Sequence, residues 1–176
     1  MNPTPAFLRF DLRAFTRMLW ALSALVLAFG LSAAAFAQAA MPVAAGQPLP
    51  VVSLKDQHDK PWEVKPPTRL VMFAAGRKAS NLVQAVLASL PKDQLARRHA
   101  LYLADMSKMP GFITRTFALP ALKEMPYAVG VSLDEETLAN WPRQPDAVTL
   151  LELAQGVVTR ISYIATEAEL RLALQQ

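Results

Sequence analysis

Leu70-Val71-Met72-Phe73-Ala74-Ala75 is an unbroken apolar run that ends on a glycine. A strand with no polar face has no side to turn to water, so it belongs in the middle of a sheet that is covered on both faces. After Gly76, the residues Leu82, Val83, Val86, Leu87 and Leu90 recur at helical spacing until Pro91 stops them. A second apolar strand follows from Ala100 to Met106. Strand, amphipathic helix and strand in that order form a parallel crossover unit.

The flanking segments fill out an α/β fold. Residues 38–47 are rich in small side chains and form a linker, and Pro48 and Pro50 stiffen the entry to the domain. Val51, Val52 and Leu54 suggest a short strand, Asp56 to Lys60 a polar turn, and Trp62 with Val64 a return strand before Lys65-Pro66-Pro67 breaks the chain. Pro110-Gly111 opens a helical stretch carrying Phe112, Ile113, Thr116 and Phe117, which is expected to end near Pro120. Another short strand is expected from Tyr127 to Leu133. Ala147 to Leu153 and Val157 to Tyr163 read as a hairpin, with Gly156 supplying the positive φ of its turn. Thr166 and Glu169 make a capping box for a last helix holding Leu170, Leu172 and Leu174. The order predicts a mixed central sheet with helices on both faces, a pattern shared by several small α/β folds.

The first 37 residues read as a signal peptide rather than as part of this fold. Arg9, Arg13 and Arg17 precede an apolar run from Met18 to Leu31, and Ala35-Phe36-Ala37 has the small-x-small form of a cleavage site. The run is shorter than the roughly 20 residues of a membrane span; an uncleaved N-terminal anchor is the alternative. The expected product is periplasmic or secreted, begins at Gln38, and carries one domain over residues 48–176. Removing the segment takes away three arginines and Asp11, so the basic excess falls from four to two. No basic stripe with interleaved aromatics is present, so nucleic acid is not an expected partner. The chain has no cysteine; its stability therefore comes from packing, without disulfides.

Gly46-Gln47-Pro48-Leu49-Pro50, followed by Leu54 to Pro61, resembles the opening of peroxiredoxin and TlpA-type domains of the thioredoxin-like class. Where such openings carry glycine this chain has Asp59, a residue that tolerates left-handed backbone. Ala75-Gly76-Arg77 and Met109-Pro110-Gly111 are similar to the YtfJ-type group of small exported thioredoxin-like proteins, a group without a firmly assigned activity. The resemblance implies a thioredoxin-like fold. It would place the two redox cysteines near Lys78 and Asn81, and both are absent. The thiolate is the nucleophile of that chemistry, so disulfide exchange and thiol peroxidase activity are not open to this chain. The resemblance also implies a cis-proline at Pro145, with Pro142 as the competing position, beside the loop that recognises extended peptides.

Among the side chains, Gly76, Arg77, Lys78 and Asn81 stand out. They fall at the start of a helix that leaves a buried strand, where open N–H groups and the helix dipole favour an anion. The two cations are unfavourable there unless an anion offsets them; the plain alternative is that both point into water. Met106, Met109 and His99 could suggest soft-metal ligation, but a methionine that ends an apolar strand is first a core residue. His58 and His99 are too few for zinc without cysteine. Asp134-Glu135-Glu136 and Asp56/Asp59 read as turn and helix-start carboxylates. Ser80 lacks the glycine pattern of a nucleophile elbow, and Trp62, Trp141 and Phe117 read as core or rim aromatics. No catalytic residue, metal or cofactor is assigned. The expected function is a redox-inactive binding module for an acidic or extended peptide or a partner protein, using Gly76, Arg77, Lys78, Asn81 and Pro145. The alternatives are an oxidoreductase whose bound cofactor, for example a flavin, does the chemistry, although no glycine-rich dinucleotide fingerprint is present, and a structural or assembly factor of the envelope.

Overall fold

A computed structural model describes residues 42–175 of the chain. The expected leader segment lies outside the described residues. The elements in order are β1 (Leu54–Asp56), β2 (Pro61–Trp62), β3 (Leu70–Ala75), α1 (Arg77–Ala88), α2 (Gln94–Arg97), β4 (Ala100–Asp105), α3 (Gly111–Ile113), a π-helical turn (Thr114–Ala118), α4 (Leu119–Lys123), β5 (Val129–Ser132), β6 (Val148–Ala154), β7 (Val157–Ile164) and α5 (Glu167–Gln175). The seven strands form one mixed sheet in the order β2-β1-β5-β4-β3-β6-β7. β3, β4 and β5 run parallel, and the remaining neighbours pair antiparallel.

The apolar run that opens β3 does what its composition requires. Val71, Met72, Phe73 and Ala74 are fully buried, with β4 on one side and β6 on the other. Side chains alternate between two cores. Leu70, Met72 and Ala74 join Tyr102, Leu150 and the apolar stripes of α1 and α5. Val71 and Phe73 face the other way, onto Leu103, Leu151, Leu138 and Trp141. Among the described residues, every buried apolar residue that a helix contributes lies in the first core. The second face is covered by consecutive turns over residues 135–140 and by the segment leading to β6.

Several boundaries shift for local reasons. Val51 is exposed and β1 begins only at Leu54, because residues 46–49 instead lie along the start of β7. There the Leu49 N–H donates to Gly156 O at 2.8 Å, and the Val158 N–H donates to Gln47 O at 2.9 Å. The end of the expected linker is therefore packed: Val43 is buried in the second core and its N–H donates to Asn140 O. Asp59 has φ 62, and the Asp56 carboxylate accepts the N–H groups of His58 and Lys60 across that turn. The hairpin turn has Gln155 at φ 49 and Gly156 at φ 82, both left-handed as a two-residue turn of this kind needs. The Glu169 N–H donates to Thr166 Oγ1 at 3.3 Å, and the Thr166 hydroxyl donates to the Glu169 carboxylate at 2.8 Å, so the cap forms.

The helix opened by Pro110 runs past Pro120, contrary to the expected stop. Proline ends a helix by clashing with the carbonyl four residues earlier and by lacking an N–H. The wide turn over Thr114–Ala118 comes immediately before it and loosens the ladder at that point, so α4 continues to Lys123.

Gly130 of β5 faces the ring of Trp62. A Cβ there would lie 2.6–2.7 Å from three ring carbons, and Trp62 is only 5% exposed. Gly130→Ala should cost about 1–3 kcal/mol through overpacking, read as a lower urea midpoint with unchanged slope. An unchanged midpoint would mean that β2 moves aside freely.

Candidate functional site

In the parallel pair β3/β4, Ala75 stands opposite Asp105, so the C-terminal ends of the two strands open at the same level. Gly76 follows with φ 118 and ψ 172 and serves as the N-cap of α1. No side chain caps that helix start, and its first turn holds no acidic residue. Beside it is a cleft of about 430 Å³ lined by Gly76, Arg77, Asp105, Lys108, Met109 and Arg143 among others. A neighbouring hollow of about 410 Å³ shares Arg77, Met109 and Ile113 with it and extends to Asn81 and Phe117.

The structure divides the five residues singled out from the sequence. Gly76 and Arg77 line the cleft, and Arg77 makes no ion pair among the described residues. Asn81 lines the second hollow, one turn along α1. Lys78 turns away and pairs with Asp146, Nζ to Oδ2 at 2.9 Å, with both side chains mostly exposed. Pro145 is exposed and lines neither hollow. Its peptide bond is trans, as is that of Pro142; the cis bond of the described residues is Pro66–Pro67. The expected cis-proline beside the site is therefore corrected. Asp146 explains the local geometry. It takes a left-handed φ of 61 directly before β6, so the chain turns into the strand at Asp146 rather than at Pro145. The Lys78–Asp146 contact still ties the helix start to this loop.

Three lining residues were not foreseen: Asp105, Lys108 and Arg143. Asp105 is buried, with its side chain only 5% exposed, because it is the last residue of β4 on the second-core face. Arg143 Nη1 donates to Asp105 Oδ2 at 2.8 Å, and its Nη2 donates to Leu138 O. The Ser107 N–H donates to Asp105 Oδ1 at 2.9 Å. The guanidinium also lies 5.3 Å from the centre of the Phe73 ring, which Trp141 meets edge-on at 5.4 Å. A charged residue ending an apolar strand, and an arginine between Pro142 and Pro145, were the available sequence signals.

The charge of Asp105 is thus matched within the fold, and Arg77 and Lys108 leave the cleft with a positive edge. Ile113 lines both hollows and Phe117 the neighbouring one; Phe117 is 59% exposed and Phe112 70% exposed, and their rings meet edge-to-face at 6.2 Å.

The other candidates take structural places. Met106 is buried in the first core, while His58 and His99 are exposed on separate turns. No group of three or more His, Cys, Asp or Glu residues placed to hold a metal occurs among the described residues. The Asp134 carboxyl is held below its ordinary range by the Thr137 hydroxyl and then by the Thr137 N–H, which donates at 2.7 Å. Burial pushes the Tyr102 hydroxyl up to about 12, and burial with the nearby Tyr102 does the same to Tyr127. Neither phenol is an acid–base group at neutral pH.

No family model matches the chain, and no curated protein matches it. Solved structures do. A candidate protein disulfide isomerase from Bacteroides thetaiotaomicron aligns with a TM-score of 0.52 at 13% identity, over 76% of this chain and 87% of its own. A candidate thioredoxin from Neisseria meningitidis aligns with a TM-score of 0.51 at 14% identity, over 77% of this chain and 89% of its own. The fold is thioredoxin-like, and this chain carries it without a single cysteine.

Proposed function

We propose that the protein is a redox-inactive binding module of the cell envelope that takes an extended, acidic segment of a partner polypeptide in the cleft beside Gly76 and Arg77. The observation that carries this reading is the pairing of two cations that have no ion partner among the described residues, Arg77 and Lys108, with exposed apolar side chains at Ile113 and, along the adjoining hollow, Phe117, on which Phe112 rests. Carboxylates of a bound segment would meet the cations and the open N–H groups of α1, and apolar residues between them would cover the aromatics. Asn81 supports the segment further along α1. Pro145 takes no part in it, and Lys78 acts only through its tie to Asp146. Export rests on Arg9, Arg13, Arg17 and Ala35-Phe36-Ala37, and on the likeness to the YtfJ-type group.

The test is fluorescence anisotropy of a labelled peptide alternating Asp with Leu, titrated with the full chain. The double change Arg77→Ala and Lys108→Ala should weaken binding by about tenfold or more, because two charge-assisted contacts are lost. Both side chains are exposed, so the melting curve should hold. Binding that ignores the double change, or that never saturates, would overturn the reading.

A further inference from the structure

A third hollow, of about 430 Å³, lies at the opposite end of β3, and its lining follows from strand register. Arg160 pairs with Glu152, Glu152 with Leu70, and Leu70 with Ala100, so one row crosses β7, β6, β3 and β4. Arg69 and His99 each stand one residue ahead of that row, at the entries of β3 and β4. They are joined through the backbone, the Arg69 N–H donating to His99 O at 2.8 Å. His99 takes φ 47, and Arg97 and Arg98 come directly before it at the end of α2. Arg69, Arg97, Arg98, His99, Glu152 and Arg160 all line the hollow.

The lining carries more positive charge than its ion pairs offset. Arg97 is paired with Asp93 at 2.6 Å, and Arg160 with Glu152 at 3.4 Å. Arg69 and Arg98 have no ion partner among the described residues. The Arg98 Nε atom is moreover buried with no hydrogen-bond acceptor. Buried N–H groups are almost always paired in folded proteins, and a guanidinium cannot shed its charge to escape the cost. Arg69 reaches solvent beside the buried open donor of Arg98, and together the two guanidinium groups present two positive charges that an acceptor carrying about two negative charges would match. A phosphate dianion has that charge, and its oxygens accept from guanidinium forks arriving from different directions; a single carboxylate offers half the charge and one plane of acceptors.

We infer that this hollow is a binding site for a phosphate-bearing ligand, held by Arg69 and Arg98 with Arg160 and His99 at its edge. The volume leaves room for the group that carries the phosphate. The site is independent of the cleft at Arg77, since the six residues of β3 separate them by roughly 20 Å.

The experiment is isothermal titration of the full chain with pyrophosphate, and in a second arm co-sedimentation with phosphatidylcholine vesicles containing phosphatidic acid, whose phosphomonoester can carry two charges. In either arm Arg69→Gln/Arg98→Gln should weaken binding by about tenfold or more, and Lys123→Ala, at an exposed cation outside this hollow and the cleft, should leave it unchanged. Arg69→Gln alone, at an exposed position, should give part of the loss and guards against a misfolded double variant. A response confined to pyrophosphate marks a soluble phosphate ligand, and one confined to vesicles marks a lipid headgroup; both support the site. Absence of saturable binding in both arms overturns it, as does an equal loss from Lys123→Ala, which would mean unspecific charge attraction.

Discussion

Phe73→Ala should destabilise the fold by about 3–5 kcal/mol, the cost of emptying a fully buried aromatic position. Phe73 is central to β3 and fully buried, it receives the edge of Trp141 at 5.4 Å, and it lies under the Arg143 guanidinium. Truncation therefore removes the ring's apolar contacts and an aromatic pair, and also the floor beneath a cation. The surroundings cannot collapse into the gap, because Val71, Leu103 and Leu151 are locked in strands on the same face. Against a total of about 5–15 kcal/mol for an ordinary domain, this is a large share. Urea unfolding followed by tryptophan fluorescence is the measurement. Phe73→Leu should recover part of the loss, and a cost below about 1 kcal/mol would show that the second core is not packed as described.

The second large effect is expected at Arg143. Arg143→Met should cost about 3 kcal/mol, the low end for breaking a buried ion pair, because Arg143 keeps 30% of its side chain exposed. The loss is greater than for Asp105→Leu. Without Arg143, a carboxylate 5% exposed keeps only the Ser107 N–H among the contacts described above, whereas without Asp105 the guanidinium still reaches water and Leu138 O. Changing both to Met and Leu should be less damaging than Arg143→Met alone, since no unpaired buried charge remains. A double-mutant cycle on urea midpoints reads the difference. Strict additivity of the two single losses would show that the pair contributes nothing as a pair.

The fold was legible where composition left one solution. An all-apolar β3, the helical stripe of α1 and the Thr166/Glu169 cap each state their own structure, and each appears. Strand ends were less legible, because the exposure of Val51 depends on residues 46–49 pairing with a strand more than a hundred residues later. The helix past Pro120 was misjudged because a π turn depends on packing that no local pattern announces. At the site, Gly76 and Arg77 could be placed from strand and helix signals alone. Lys78 could not, since its partner Asp146 is 68 residues away. Asp105 and Arg143 escaped for the same reason, and the hollow at Arg69 and Arg98 exists only once four strands are in register.

The wide turn at Thr114–Ala118 has a consequence for the face of the molecule. In a regular α-helix residues five apart point about 140° away from one another, so Phe112 and Phe117 would lie on different sides. One of them would then be turned toward the sheet and the other toward water. The extra residue in the turn closes that angle, and the two rings meet in the open, with Phe117 lining the hollow that adjoins the cleft. The same added residue that lets the helix pass Pro120 thus fashions a paired aromatic grip, while Thr114 and Leu122 keep the inner side of the helix against the core.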